Sequence, residues 1–178
     1  MILSGMIPYY LTNSIDSFSN IFFETMSGYT ATGSTILDDV EALPKSIIFW
    51  RSMTHWLGGM GIIVLAIAIL PLLGIGGMQL FSAEVPGSGI SGDKIHPRIS
   101  ATAKRLWLIY FGLTILETIA LSIAGMSFFD ALNHSMSNIA TGGFSTKNES
   151  LAYWNSIPSI QYIVIFFMIL AGTNYLLI

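Results

Sequence analysis

The chain contains no cysteine, and only 10% of its residues are charged, against roughly 25% in an ordinary soluble domain. The first absence excludes a disulfide scaffold and any zinc site built on thiolates. The second is concentrated in three stretches. No Asp, Glu, Lys or Arg occurs from Ser52 to Ser82 or from Ser150 to Ile178, and only Glu117 interrupts the run from Leu106 to Phe129. Each stretch exceeds the roughly 20 residues that cross a bilayer's hydrocarbon core as helix. Seven basic residues against ten acidic ones give no basic face, which argues against a nucleic-acid partner. The N-terminus has no basic region, and its short apolar run is broken by Pro8, so it does not read as a cleavable signal. It reads as the last turns of a segment that begins upstream. These features predict an all-α integral membrane protein with several spans.

Charge sets the expected orientation. The connector from Glu84 to Arg105 holds Lys94, Arg98, Lys104 and Arg105, whereas Lys45, Arg51 and Lys147 fall among seven acidic residues on the other side. Short loops rich in Lys and Arg stay cytoplasmic. The connector is therefore expected inside, and the segments around Asp38–Glu41 and Lys147–Glu149 outside.

The chain also repeats itself. A shift of 110 residues pairs Ser17 with Ser127, Phe18 with Phe128, Met26 with Met136, Ser27 with Ser137 and Gly33 with Gly143. Apolar residues at Ile15, Phe18, Phe22 and Met26, and at Phe128, Leu132, Met136 and Ile139, mark one helical face in each copy. Asp16 and Ser127 are the expected N-caps, and Asp130 suits a first turn. Each helix would be about 11 residues, or roughly 16 Å, which is half a membrane. Each runs into small and hydroxyl residues, Gly28 to Thr35 in one copy and Ala140 to Thr146 in the other, with a long apolar helix beyond.

Such an order suits a cation pore. A half-helix aims its negative C-terminal end at the membrane centre, and extended backbone behind it can present carbonyl oxygens in place of an ion's hydration shell. Glycine permits the positive φ that turns successive carbonyls to one side. Gly33 and Gly143 also fit as turn glycines in ordinary outer loops, and the duplication leaves the two readings level.

The wider text resembles the membrane subunit of Trk/Ktr-type potassium transporters, with the TrkH branch nearest. It includes Phe22-Phe23-Glu24-Thr25-Met26-Ser27-Gly28-Tyr29-Thr30-Ala31-Thr32-Gly33-Ser34-Thr35, Leu43-Pro44-Lys45 with Phe49-Trp50-Arg51-Ser52, and His55-Trp56-Leu57-Gly58-Gly59-Met60-Gly61-Ile62. Leu70-Pro71-Leu72-Leu73-Gly74, Ala83-Glu84-Val85-Pro86-Gly87 and Asn138-Ile139-Ala140-Thr141-Gly142-Gly143-Phe144-Ser145-Thr146 complete it. The resemblance implies potassium-channel-like repeats of outer helix, re-entrant pore half-helix with filter loop, and inner helix, four to a chain. It makes Gly33 and Gly143 the central filter glycines, and Ala31, Thr32, Thr141 and Gly142 the positions whose carbonyls face potassium. It also implies a homodimer of the full-length chain and a cytosolic ring of nucleotide-binding subunits as partner, in a bacterial inner membrane, with no covalent cofactor and no catalysis.

On that pattern residues 1–83 form a first repeat without its outer helix, with pore helix 16–28, filter loop 29–37 and inner helix 46–73. Residues 84–105 form the cytoplasmic connector. Residues 106–178 form a second repeat, with outer helix 106–126, pore helix 128–139, filter loop 140–147 and inner helix 157–178. Two of four filter loops are present, and Ile178 falls inside an unbroken apolar run, so the chain reads as part of a longer protein.

Other residues draw structural readings. Glu117 is the one ionisable residue expected well inside a span, and it is read as a packing residue away from the ion path. Asp130 and His134 stand four apart but lack a third ligand nearby, so a cap and a hydrogen-bonded side chain are expected, with Glu24 as the counterpart of His134. Asp38, Asp39 and Glu41 fit a cation-concentrating mouth and a solvated loop equally. Gly58, Gly59 and Gly61 offer a small helix face, whereas Gly74, Gly76 and Gly77 mark where that helix ends. Trp50, Trp56, Trp107 and Trp154 are expected at span ends. Two other function classes fit less well. One is a secondary transporter that binds a small solute at broken helices near the midplane. The other is an intramembrane enzyme, for which no nucleophile–base pair is in evidence.

Overall fold

The computed structural model describes residues 2–72 and 95–172, with side chains at 2–61 and 104–172. Helix α1 spans Ile2–Leu11, α2 Phe18–Tyr29, α3 Lys45–Leu72, α4 Ile95–Ile123, α5 Phe128–Ile139 and α6 Pro158–Gly172, with a 3-10 turn at Ser150–Trp154. No strand occurs among the described residues. One helix there, Lys104–Ile123, is long and apolar enough to cross a membrane. The expected turn at Gly74, Gly76 and Gly77, and the connector as far as Lys94, lie outside the described residues.

Helices α2 and α5 each have 12 residues, hence about 18 Å of rise, well short of the ~30 Å hydrocarbon core. The long helices α3 and α4 have 28 and 29 residues. Helix α4 begins at Ile95, not near Leu106. Apolarity marks a span, whereas helix needs only good formers. Ala101, Ala103, Lys104 and Arg105 supply these, and Pro97 falls in the first turn, where its missing N–H costs nothing. The N-cap of α2 is Ser17 rather than Asp16, and it makes no side-chain cap. Ser127 does cap α5, accepting from the Asp130 N–H.

The 110-residue shift extends to packing. One cluster joins Met6, Tyr9, Ile15, Ile21 and Ile47, with Trp50 against it. Another joins Leu121, Met126, Ala131, Trp154, Ile160 and Val164, with Ile157 against it. Ile21 and Ala131, Ile47 and Ile157, and Trp50 and Ile160 are shift-related pairs. Helix α1 falls on the positions equivalent to 112–121, the end of α4. A third cluster, built on Met60, Tyr110, Ile139, Phe167 and Ala171, joins the two units. Helix α3 therefore packs against both short helices.

Polar side chains are buried beside this apolar core, and large apolar ones face outward. Glu24, Arg51, His55, Glu117, Asn133 and Ser135 are buried, whereas Leu108, Leu116, Ile119, Tyr162 and Ile169 are exposed on α4 and α6. The tryptophans differ in their surroundings. Trp56 lies well inside α3 and donates to Thr114 Oγ1 at 3.1 Å, Trp50 donates to the Gly5 carbonyl at 3.0 Å, and Trp154 is buried edge-on to His134.

The paired glycine loops, a candidate cation site

Both short helices end in the same way. The Ala31 N–H bonds the Gly28 carbonyl and the Thr32 N–H bonds the Ser27 carbonyl, each at 3.0 Å. In the second copy Thr141 bonds Asn138 and Gly142 bonds Ser137, each at 2.8 Å. This is a Schellman motif, which ordinarily places glycine at its left-handed position. Here that position holds Ala31, at φ +52°, and Thr141, at φ +56°. Two residues on, the backbone is again at positive φ, at Gly33 (+78°) and Gly143 (+113°).

The amides are thus turned back into the protein. The Gly143 N–H also bonds inward, to Ser137 Oγ at 3.0 Å. No hydrogen bond among the described residues reaches the carbonyls of Ala31, Thr32, Gly33, Thr141, Gly142 or Gly143. Five of the six sequence-marked residues, all but Gly33, thus have their amides engaged, while all six carbonyls are free. The two loops abut as well, because a Cβ added at Gly33 would overlap the Gly142 carbonyl.

Side chains on the short helices hold each loop from behind. Thr35 Oγ1 donates to Glu24 at 3.0 Å, and the Ile36 N–H donates to the same carboxylate at 3.1 Å. At the shifted positions His134 Nε2 pairs with Ser145 Oγ at 3.0 Å, while its Nδ1 faces the Asp130 carbonyl at 2.8 Å. Glu24 and His134 are therefore loop supports, and no cluster of three metal-ligating side chains occurs among the described residues.

Arg51 and His55 gained no role from the sequence. Arg51 is 1% exposed and pairs with the fully buried Glu24 at 2.8 Å. His55 stacks on Phe144 with centroids 3.9 Å apart and pairs with Ser137 Oγ at 3.0 Å. The one signal in the sequence was a basic residue, Arg51, within the expected inner helix 46–73. Glu117 is accordingly not the only buried ionisable residue. It accepts from Asn138 Nδ2 at 2.7 Å, and the same amide reaches the Val164 carbonyl at 3.1 Å, which ties α4, α5 and α6 together.

Beyond the glycine loops the two units are clamped. Asn148 accepts from the Val40 N–H at 2.8 Å and donates to Asp39 at 2.9 Å, and Lys147 pairs with Glu41 at 3.1 Å. Asp39 and Glu41 are thus engaged by the second copy.

The family model described as TrkH, cation transport protein, matches residues 3–178. The chain belongs to the TrkH family. It is 50% identical over 172 residues to the Trk system potassium uptake protein TrkH of Salmonella typhimurium, covering 96% of this chain and 35% of that protein. The TrkG protein of Escherichia coli K12 is 40% identical over 171 residues, again covering 96% and 35%. The crystal structure of the potassium transporter TrkH from Vibrio parahaemolyticus superposes with a TM-score of 0.81 at 43% identity, covering 97% of this chain and 33% of that one. The chain thus spans about a third of the length of its TrkH-family relatives.

Proposed function

We propose that the chain supplies two of the filter segments of a potassium uptake pore, with α2 and α5 as re-entrant pore helices. One observation carries this reading most directly: the amides of Ala31, Thr32, Thr141, Gly142 and Gly143 are bonded inward, and the carbonyls of both loops are left free. The carbonyls of Ala31, Thr32, Thr141 and Gly142 would replace potassium's hydration shell, with Gly33 and Gly143 holding the backbone turns. The negative ends of α2 and α5 run into these loops and add stabilisation for a cation. The exposed apolar faces of the long helices, with polar side chains such as Glu24 and Arg51 buried and bonded to one another, support a bilayer setting. The basic stretch that includes Lys104 and Arg105 sits on the cytoplasmic side, so a cysteine at Ser100 should resist impermeant thiol reagents in intact cells. Ready labelling there would reverse the orientation.

The test is a chimera in which this chain replaces the matching third of the Salmonella typhimurium protein, expressed in a host deficient in potassium uptake. Rubidium and sodium uptake are normalised to protein in the membrane. Gly33→Ser and Gly143→Ser should still insert but admit more sodium, while Gly112→Ser, which meets open space on α4, should not. Unchanged discrimination in both filter variants would return these residues to ordinary turns. Uptake of an organic solute in place of potassium would favour a secondary transporter.

A further inference from the structure

Arg51 belongs to the inner helix of the first unit, yet half of its contacts are with the second. Its Nε and one terminal nitrogen hold Glu24 at 2.8 Å, and that terminal nitrogen also donates to Thr35 Oγ1 at 3.1 Å. Its other terminal nitrogen donates to the Ser145 carbonyl at 3.4 Å. The guanidinium carbon lies 4.1 Å from the centre of the Phe144 ring, whose own stacking partner is His55. One planar cation therefore touches residues beside both loops, which themselves abut at Gly33 and Gly142.

The arrangement occurs once among the described residues. The 110-residue shift carries Arg51 onto Gln161, which bonds Asn155 near the start of its own helix. It carries His55 onto Ile165, and Phe144 back onto Ser34. The cross-link is thus an addition to the repeat and not a product of it.

Resting on the filter reading above, we propose that Arg51 is a positioning residue for ion selectivity. It fixes the second loop against the first through Phe144 and Ser145, beyond neutralising Glu24. A guanidinium suits this task because its fork serves Glu24, Thr35 and the Ser145 carbonyl in one plane while its face lies on Phe144. Lysine offers a point charge and no such plane. The Phe144 ring sits between Arg51 and His55, and His55 pairs with the hydroxyl of Ser137 that accepts from the Gly143 amide. Displacing Arg51 therefore loosens the support on both sides of Gly143.

The chimera separates this role from simple charge balance. In the paired variant Glu24→Gln with Arg51→Gln, no buried charge is left unmatched, but the shorter amide neither covers Phe144 nor reaches Ser145. The proposal expects potassium-over-sodium discrimination to fall about five-fold or more at equal membrane content. Phe144→Leu, which leaves the ion pair intact, should lower discrimination in the same direction, and Arg51→Lys should restore only part of it. Lys104→Gln, exposed on α4, is the control. Parent-level discrimination in the paired variant would overturn the positioning role and leave Arg51 as the counter-ion of Glu24. If the paired variant fails to reach the membrane, Phe144→Leu decides by the same criterion. A parent chimera without potassium selectivity would instead overturn the filter reading itself.

Discussion

Ala31 and Thr141, 110 residues apart, share one left-handed backbone conformation, at φ +52° and +56°, and each closes a Schellman motif at the end of a 12-residue helix. A non-glycine residue in this region costs on the order of 1–2 kcal/mol. Strain held at equivalent positions of two units points to a shape that the loops need. Ala31→Gly and Thr141→Gly should each stabilise the protein by about 0.5–1 kcal/mol, the relief of strain exceeding the added freedom of the unfolded chain. Thermal unfolding in detergent checks this, and a lower midpoint in both variants would contradict it.

Gly33 and Gly143 should not respond alike. A Cβ at Gly33 would overlap the Gly142 carbonyl, whereas at Gly143 nothing lies within 4 Å and only the φ of +113° opposes a side chain. Gly33→Ala should therefore lower stability more than Gly143→Ala, the latter by about 1–2 kcal/mol. Equal losses in a melting comparison would mean that the loops are not in contact.

Much of this architecture is legible in the sequence, because the period of apolar residues and the shift of 110 place two short helices, each followed by an apolar helix. The position of each helix end is less so. The Schellman turn falls on Ala31 and Thr141, two residues before the glycines that draw attention. Helix α4 extends past its apolar run to Ile95, because a charged surface does not prevent helix. The Arg51 cross-link involves residues 94 apart in the chain, and no local pattern reports such a pairing.

Glu117 is fully buried, and one of its oxygens bonds Asn138 while the other has no partner. Asn138→Leu should strand the carboxyl group and cost about 1–3 kcal/mol. Glu117→Gln keeps an acceptor for Asn138 and should cost less. Stability measured alongside uptake separates the roles, since a fall in uptake of Glu117→Gln without loss of stability would make it an ion-path residue.

The clamp at Asp39 and Glu41 should be insensitive to pH near neutrality. The Asn148 amide, with the Ala42 and Glu41 N–H groups, holds the Asp39 carboxyl below its ordinary 3.8. Its contribution is complete above 3.8 and is lost as pH falls through the lower folded value. Lys147 is raised above 10.5, chiefly by its hydrogen bond to Glu41, so its contribution is complete below 10.5 and lost as pH rises through the higher value. Protection of the Val40 amide, corrected for intrinsic exchange, should stay flat from about pH 5 to 9 and decline only in stronger acid. Asn148→Ala should abolish it throughout. A decline centred near pH 6 would contradict this assignment.

The central claim is that backbone carbonyls of the two loops hold the ion. Anomalous diffraction from crystals of the chimera soaked in thallium, a heavy stand-in for potassium, locates that ion directly. The account predicts a peak within coordination distance of the carbonyls of Ala31, Thr32, Thr141 and Gly142, diminished in Gly143→Ser. A peak bound by side-chain carboxylates instead, with none between the loops, would contradict it.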